Sequence, residues 1–168
     1  MELFEAVQTR SSAARLSEPG PTPADLGKLL KAAERAPDHG RLRPWRLIVL
    51  AGAVREAFTA AAAEAKRARL PAMTGEQLAA ERDKMNRSPT IVVIGCAVDR
   101  EQTKIPEIEQ VVAVGAAAEN LFLAAHGMGY GVMWKTGAAA YDPKVKAVLG
   151  LRPDDHIIAI MHLGARST

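Results

Sequence analysis

Three stretches of this chain place charged, hydroxyl and aromatic residues at spacings that suit ligand chemistry. The first is Arg10-Ser11-Ser12-Ala13-Ala14-Arg15. A guanidinium followed by two hydroxyls can make several charge-assisted bonds to a phosphate, although the same residues are ordinary at a polar helix end. In the second, Arg35, Asp38, His39, Arg41 and Arg43 crowd into one short segment that ends in Pro44-Trp45. A loop leaving a helix and entering a strand is where sites collect, yet Trp45 alone reads as a core aromatic. The third runs Gly127-Met128-Gly129-Tyr130-Gly131 and on through Trp134-Lys135-Thr136-Gly137. Its glycines mimic a dinucleotide fingerprint, but that fingerprint follows a strand and opens a helix. Here the glycines follow a helical stretch and open an apolar one, which reads as a helix stop and a turn. Trp134–Gly137 could lie along a flat ring. The chain contains no G-x-S-x-G elbow, P-loop or H-E-x-x-H zinc motif.

The elements that must position these stretches alternate between helix and strand. Leu3, Phe4 and Val7 have helical spacing within Glu2–Thr9. Thr22, with Pro23 and Asp25 behind it, is an N-cap signal for a helix reaching about Arg35. Ala36–Pro44 reads as a loop, Trp45–Leu50 as a strand, and Ala53–Arg69 and Thr74–Asn86 as helices. The Lys66, Arg67, Arg69 cluster reads as a solvated helix face. Pro89–Val98 is an apolar strand holding the lone cysteine, Cys96. Gln110–His126 is small or apolar nearly all round, the signature of a core helix and of a face for a second copy. Val132–Trp134, a short helix over Asp142–Leu149 and the strand Ile157–Leu163 complete the chain. His126, His156 and His162 read as structural. The expectation is four strands with helices on both faces.

The 168 residues fit one domain, 1–168, with a net charge of +3 and 24% charged residues. No Lys/Arg run marks a nucleic-acid stripe, and 4% aromatic content gives little for base stacking. One cysteine precludes an internal disulfide and disfavours a Cys-ligated metal. The N-terminus lacks the basic start and apolar core of a signal peptide, and no stretch reads as a membrane span. A cytoplasmic protein acting on a small molecule, without nucleic acid or membrane, is expected.

Taken in order, the three stretches resemble the nitroreductase family, and most closely its minimal bacterial members. Arg10-Ser11-Ser12 matches the family's Arg-Arg-Ser phosphate motif, and Ala36-Pro37 through Pro44-Trp45 matches its Ala-Pro-Ser-x-x-Asn-x-Gln-Pro-Trp motif. The small-residue helix followed by Trp134–Gly137 matches its third flavin segment. The resemblance implies an α+β nitroreductase-like fold with a central mixed sheet flanked by helices. It also implies a homodimer with FMN at the subunit interface, and NADH or NADPH as electron donor. By the same resemblance, Arg10, Ser11 and Ser12 would hold the phosphate and ribityl chain. Arg35 and His39 would reach the flavin from the other subunit. Trp134, Lys135 and Thr136 would line the isoalloxazine, with backbone N–H groups near Thr136 and Gly137 facing N5.

The implied activity is ping-pong hydride transfer to nitro, quinone or similar acceptors, with no obligatory catalytic side chain because the flavin carries the chemistry. The chain departs from the family pattern at Ser11, Asp38, Arg41 and Arg43. A specialised branch member (a dehydrogenase or a flavin-consuming enzyme) and a flavin-binding protein without turnover are the alternative readings. Many relatives pass a C-terminal tail across the dimer. Few residues follow Leu163, so that exchange is expected to be short or missing.

Overall fold

The computed structural model describes residues 1–166. Local chemistry starts the helices where the sequence signals them. In α2 (Pro23–Ala33) the Thr22 hydroxyl accepts from the Asp25 N–H at 3.1 Å, with proline at the first helical position. Thr74 and Gln77 form a reciprocal capping box on α4 (Gly75–Met85). Asp142 caps α6 (Pro143–Val148) by accepting from the Lys144 and Val145 N–H groups. The remaining helices are α1 (Leu3–Thr9), α3 (Gly52–Arg69) and α5 (Glu107–Gly127).

The strands are β1 (Leu16–Ser17), β2 (Trp45–Val49), β3 (Thr90–Cys96), β4 (Gly131–Lys135) and β5 (His156–Arg166). β5 is the hub. It pairs with β3 through residues 156–163, with β4 through 160–164 and with β1 through 165–166. Because Ile160–Leu163 pair with both β3 and β4, those two strands lie on opposite edges of β5. β2 adds outside β3.

Side-chain alternation divides the core into two layers. Val92, Ile94 and Cys96 of β3 turn to one face, where they meet Leu29 of α2 and Val114, Leu121 and Phe122 of α5. Ile91 and Val93 turn to the other, against Phe58 and Ala62 of α3 and Val145 of α6. Each large side chain buried in this way contributes roughly 1.5–3 kcal/mol.

Two expectations about the sheet need correction. Every pairing among the described residues is antiparallel, so the α+β fold stands but its sheet is not mixed. β3 and β4 do run parallel with α5 crossing between them, but β5 inserts between the two and separates them. The two-residue strand β1 also joins the expected four.

Finally, α5 spans 21 residues and is long and apolar enough to cross a membrane. Here it lies across the sheet, with Ala113, Val114, Ala117, Ala118 and Leu121 in the core. Its outer side is not covered by its own chain, for Ile108 and Val112 are exposed. Ala117 is fully buried and belongs to the core side, not to a face for a second copy.

Candidate functional site

The chain between α1 and β1 is strapped to β4 by a hydrogen bond from the Ala13 N–H to the Val132 carbonyl at 2.8 Å. That bond brings the first and third sequence segments together around one open cleft. The cleft has a volume of about 640 Å³, and its walls include Arg15, Leu16, Lys84, Arg87, Met133 and His162. Lys135 lines it too, and also lines an adjoining cleft of about 560 Å³ between α3, α4 and the Thr136–Ala139 turn. Both volumes are in the range of small-molecule and cofactor sites.

Two glycines shape the approach to these clefts. At Gly129, φ is +87°, which stops α5 and turns the chain into β4. This is the helix stop that the glycine pattern predicts. At Gly137, φ is +64°, a conformation that L side chains rarely adopt. It carries the backbone from β4 into the following turn.

The electrostatics are one-sided. Arg15, Arg87 and Lys135 make no ion pair among the described residues, and only Lys84 is paired, with Glu81. On the floor, His162 is buried, with Nδ1 2.7 Å from the Ser88 hydroxyl and Nε2 lacking a hydrogen-bond partner among the described residues. Burial, followed by the charges of Lys135 and Arg55, pushes its pKa down to about 4. The imidazole is therefore neutral at neutral pH. Arg55 fixes this wall. Its guanidinium donates to the carbonyls of Met85, Ser88 and Pro89 at 2.6–3.2 Å, holding Ser88 under the histidine and Arg87 at the rim.

The residues proposed from sequence fall into three groups. Arg10 is half-buried, its guanidinium 4.7 Å from the centroid of the Phe122 ring. Ser11 is exposed and its hydroxyl accepts from Arg166 at 2.6 Å, while Ser12 is exposed beside it. Ser11 and Arg166 thus meet and Arg10 lies against α5, a donor set suited to a phosphate, but none of Arg10, Ser11, Ser12 and Arg166 lines the cleft, whose wall begins at Ala13.

Lys135, Thr136 and Gly137 border the clefts. Trp134 does not. Its indole faces the α5 side, packs against the core there, and donates to the Ile158 carbonyl at 3.1 Å.

Arg35 and His39 line neither cleft and are both exposed, with His39 at the N-terminal end of α5, where its Nδ1 is 2.6 Å from Glu109. The loop carrying them is held by Asp38, whose carboxylate accepts from the Arg43 N–H at 2.7 Å. Arg41 and Arg43 adopt positive φ of 56° and 48° there, strain of about 1–3 kcal/mol each.

Lys84, Arg87, Ser88, His162 and Arg166 were not among the sequence candidates. For His162 a signal existed, because it is a polar residue in the otherwise apolar run Ile157–Leu163. The Lys66–Arg69 cluster also reads differently in the fold. Arg67 is on a solvated face, paired with Glu64, but Lys66 and Arg69 line the second cleft.

Known proteins agree with this architecture. The YdjA protein of Escherichia coli K12, provisionally named an NAD(P)H nitroreductase, is 34% identical over 98% of this chain and 88% of its own length. A solved nitroreductase-like protein from Bacillus cereus superposes with a TM-score of 0.82 at 24% identity, covering 100% of this chain and 87% of that one. A solved nitroreductase-like protein of Desulfovibrio desulfuricans, in complex with FMN, gives a TM-score of 0.77 at 19% identity, covering 100% and 88%. The nitroreductase family model matches residues 7–165, and the chain belongs to the nitroreductase family.

Proposed function

We propose that the chain is a single FMN-binding domain of a cytoplasmic homodimeric oxidoreductase that uses NADH or NADPH to reduce nitro, quinone or similar small acceptors. The observation that carries this reading is the cleft itself, a cofactor-sized space lined by Arg15, Arg87 and Lys135, which have no carboxylate partner among the described residues. A flavin mononucleotide would set its ring against Met133 and Lys135 and its phosphate toward the Arg10–Ser12 segment, which runs into the cleft wall at Ala13. Bound FMN supplies hydride acceptance from the nicotinamide and delivery of two electrons to the acceptor. The balance for a nitro group is one NAD(P)H and one proton consumed, with nitroso product and water released.

The chain's own groups do the rest. Arg15, Arg87 and Lys135 favour the negative charge that a reduced ring carries. Neutral His162 offers one ring nitrogen at the floor without adding charge. The Thr136–Gly137 backbone supplies N–H donors at the far edge, which cost no reorganisation because the turn fixes them.

Arg35 and His39 reach neither cleft within their own chain, which fits a site completed by Arg35 and His39 of the partner subunit. Exposed Leu3, Phe4 and Val7 on α1 and Ile108 and Val112 on α5 supply apolar surface for such a pairing. Phe4→Asp should then convert a dimer to a monomer with weaker flavin binding, whereas Ala117→Glu should unfold the chain. The direct test is the absorption spectrum of the purified protein after FMN titration, with NADH or NADPH then added anaerobically. A flavin spectrum that bleaches is expected. A protein that takes up no FMN overturns the proposal, and one whose flavin is not reduced leaves only a binding protein.

A further inference from the structure

The second cleft presents an apolar surface and a charged rim within one small space. Ala62, Ala139 and Ile160 belong to its apolar lining, which also includes Met85. Lys66, Arg69, Lys84 and Lys135 stand around them, against one carboxylate, Glu81. That carboxylate is shared by Lys66 and Lys84. Burial acts to raise its pKa, but the two lysine bonds outweigh this and hold it below the usual glutamate range, so it stays ionised. Arg69 is held with its guanidinium 5.4 Å from the centroid of the Tyr141 ring and faces no carboxylate among the described residues. The lining therefore carries a surplus of positive charge that its own chain does not neutralise. Lys135 belongs to both clefts and Thr136 and Gly137 to the second, so a molecule seated here lies next to whatever occupies the first.

We infer that this cleft selects acceptors that are flat, apolar and acidic: an aromatic ring carrying a carboxylate, placed on the apolar surface with its charge toward Arg69 and Lys66. The inference rests on the proposed flavin oxidoreductase activity and names the acceptor class for that same site. A single-ring acid joins ring and charge in one small molecule and fits within a cleft of about 560 Å³. In a nicotinamide dinucleotide the phosphates are separated from the reacting ring by a ribose.

The experiment compares para-nitrobenzoate with its neutral isostere para-nitrobenzamide as acceptors for the FMN-loaded protein, with reduced nicotinamide as donor. Reduction of each consumes one NAD(P)H and one proton per nitroso group and water formed. The nitrobenzoate should have the higher kcat/KM, through a lower KM that rises with added salt. Arg69→Ala should cut the acid-to-amide ratio of kcat/KM by about twofold to fivefold, the worth of one partly exposed charge pair. Arg69→Glu should cut it further, and in both variants the fall in kcat/KM should be larger for the acid than for the amide.

Equal kcat/KM for acid and amide in the wild type, or a ratio indifferent to Arg69→Glu, overturns the inference while leaving the oxidoreductase reading intact. So does an Arg69→Glu variant in which only the NADPH-to-NADH preference moves, for that assigns the charge to the donor. Failure to reduce the neutral amide and a neutral quinone alike, despite bound FMN, counts against the oxidoreductase reading itself.

Discussion

Two charged regions lie at opposite ends of β5, and they treat similar residues in opposite ways. Around the first turn of α5, His39, Arg100, Arg152 and His156 each have a carboxylate beside them. His39 meets Glu109, His156 meets Glu107, Arg100 reaches Glu107, Asp154 and Asp155, and Arg152 lies 3.0 Å from Asp155. At the β4 end, Arg15, Arg87 and Lys135 face a cleft with no such partners among the described residues, above a histidine kept neutral. The first arrangement satisfies its charges internally and serves the fold. The second leaves a positive potential for something outside the chain to neutralise, at the cost of like charges held near one another.

The contrast is sharpest when each end is cut at a buried ionisable group. Asp155 is buried and accepts from the Val98 N–H, the Arg152 N–H and the Arg152 guanidinium. Burial works against its ionisation, but these bonds dominate and hold its carboxylate below the usual range. Asp155→Ala should cost about 3–4 kcal/mol in urea unfolding, because it orphans buried donors, and should leave FMN affinity unchanged in the folded fraction. A loss of FMN affinity without loss of stability would erase the distinction between the two ends.

His162 gives the matching effect at the cleft. Its imidazole titrates near its ordinary 6.5 when unfolded and at about 4 when folded. Between those values the unfolded chain binds a proton that the native chain refuses, so stability falls as pH drops from 6.5 toward 4. The full loss is about 3 kcal/mol. Asp155 adds to acid sensitivity only below the normal carboxylate range, outside this window. His162→Gln should flatten the slope of urea midpoint against pH between those limits. An unchanged slope would place the proton uptake elsewhere.

The smallest effect is on the cofactor's potential. Lys135→Ala should lower the midpoint of the bound flavin by removing a cation beside the ring, read by anaerobic redox titration, while Arg100→Ala should not move it. An unmoved midpoint in Lys135→Ala would detach that lysine from the ring.

Much of this was legible in the sequence where the chemistry is local. The caps at Thr22, Thr74 and Asp142, the core character of α5 and the glycine stop before β4 depend on neighbours a few residues away. Strand order does not. The split of β3 and β4 by β5 is decided by contacts about 70 residues apart along the chain. The same distance hid Ser88 and Arg87, which face His162 only after Arg55 ties their loop down.

Trp134 shows a limit of a different kind. Neighbours on a strand point to opposite faces, so Trp134 and Lys135 cannot both turn their side chains to one ring. The alternation was available in the sequence, and it assigns the tryptophan to the core.

The most direct test titrates apo-protein with FMN, following flavin fluorescence, for wild type, Arg10→Ala and Arg100→Ala side by side. One FMN per chain is expected for the wild type. Arg10→Ala should weaken affinity by about 1.5–3 kcal/mol, the worth of a lost charge-assisted bond, and Arg100→Ala should bind as the wild type does. Equal affinities for Arg10→Ala and wild type, or a loss as large in Arg100→Ala, would contradict the assignment of the unpaired end of the sheet to the cofactor.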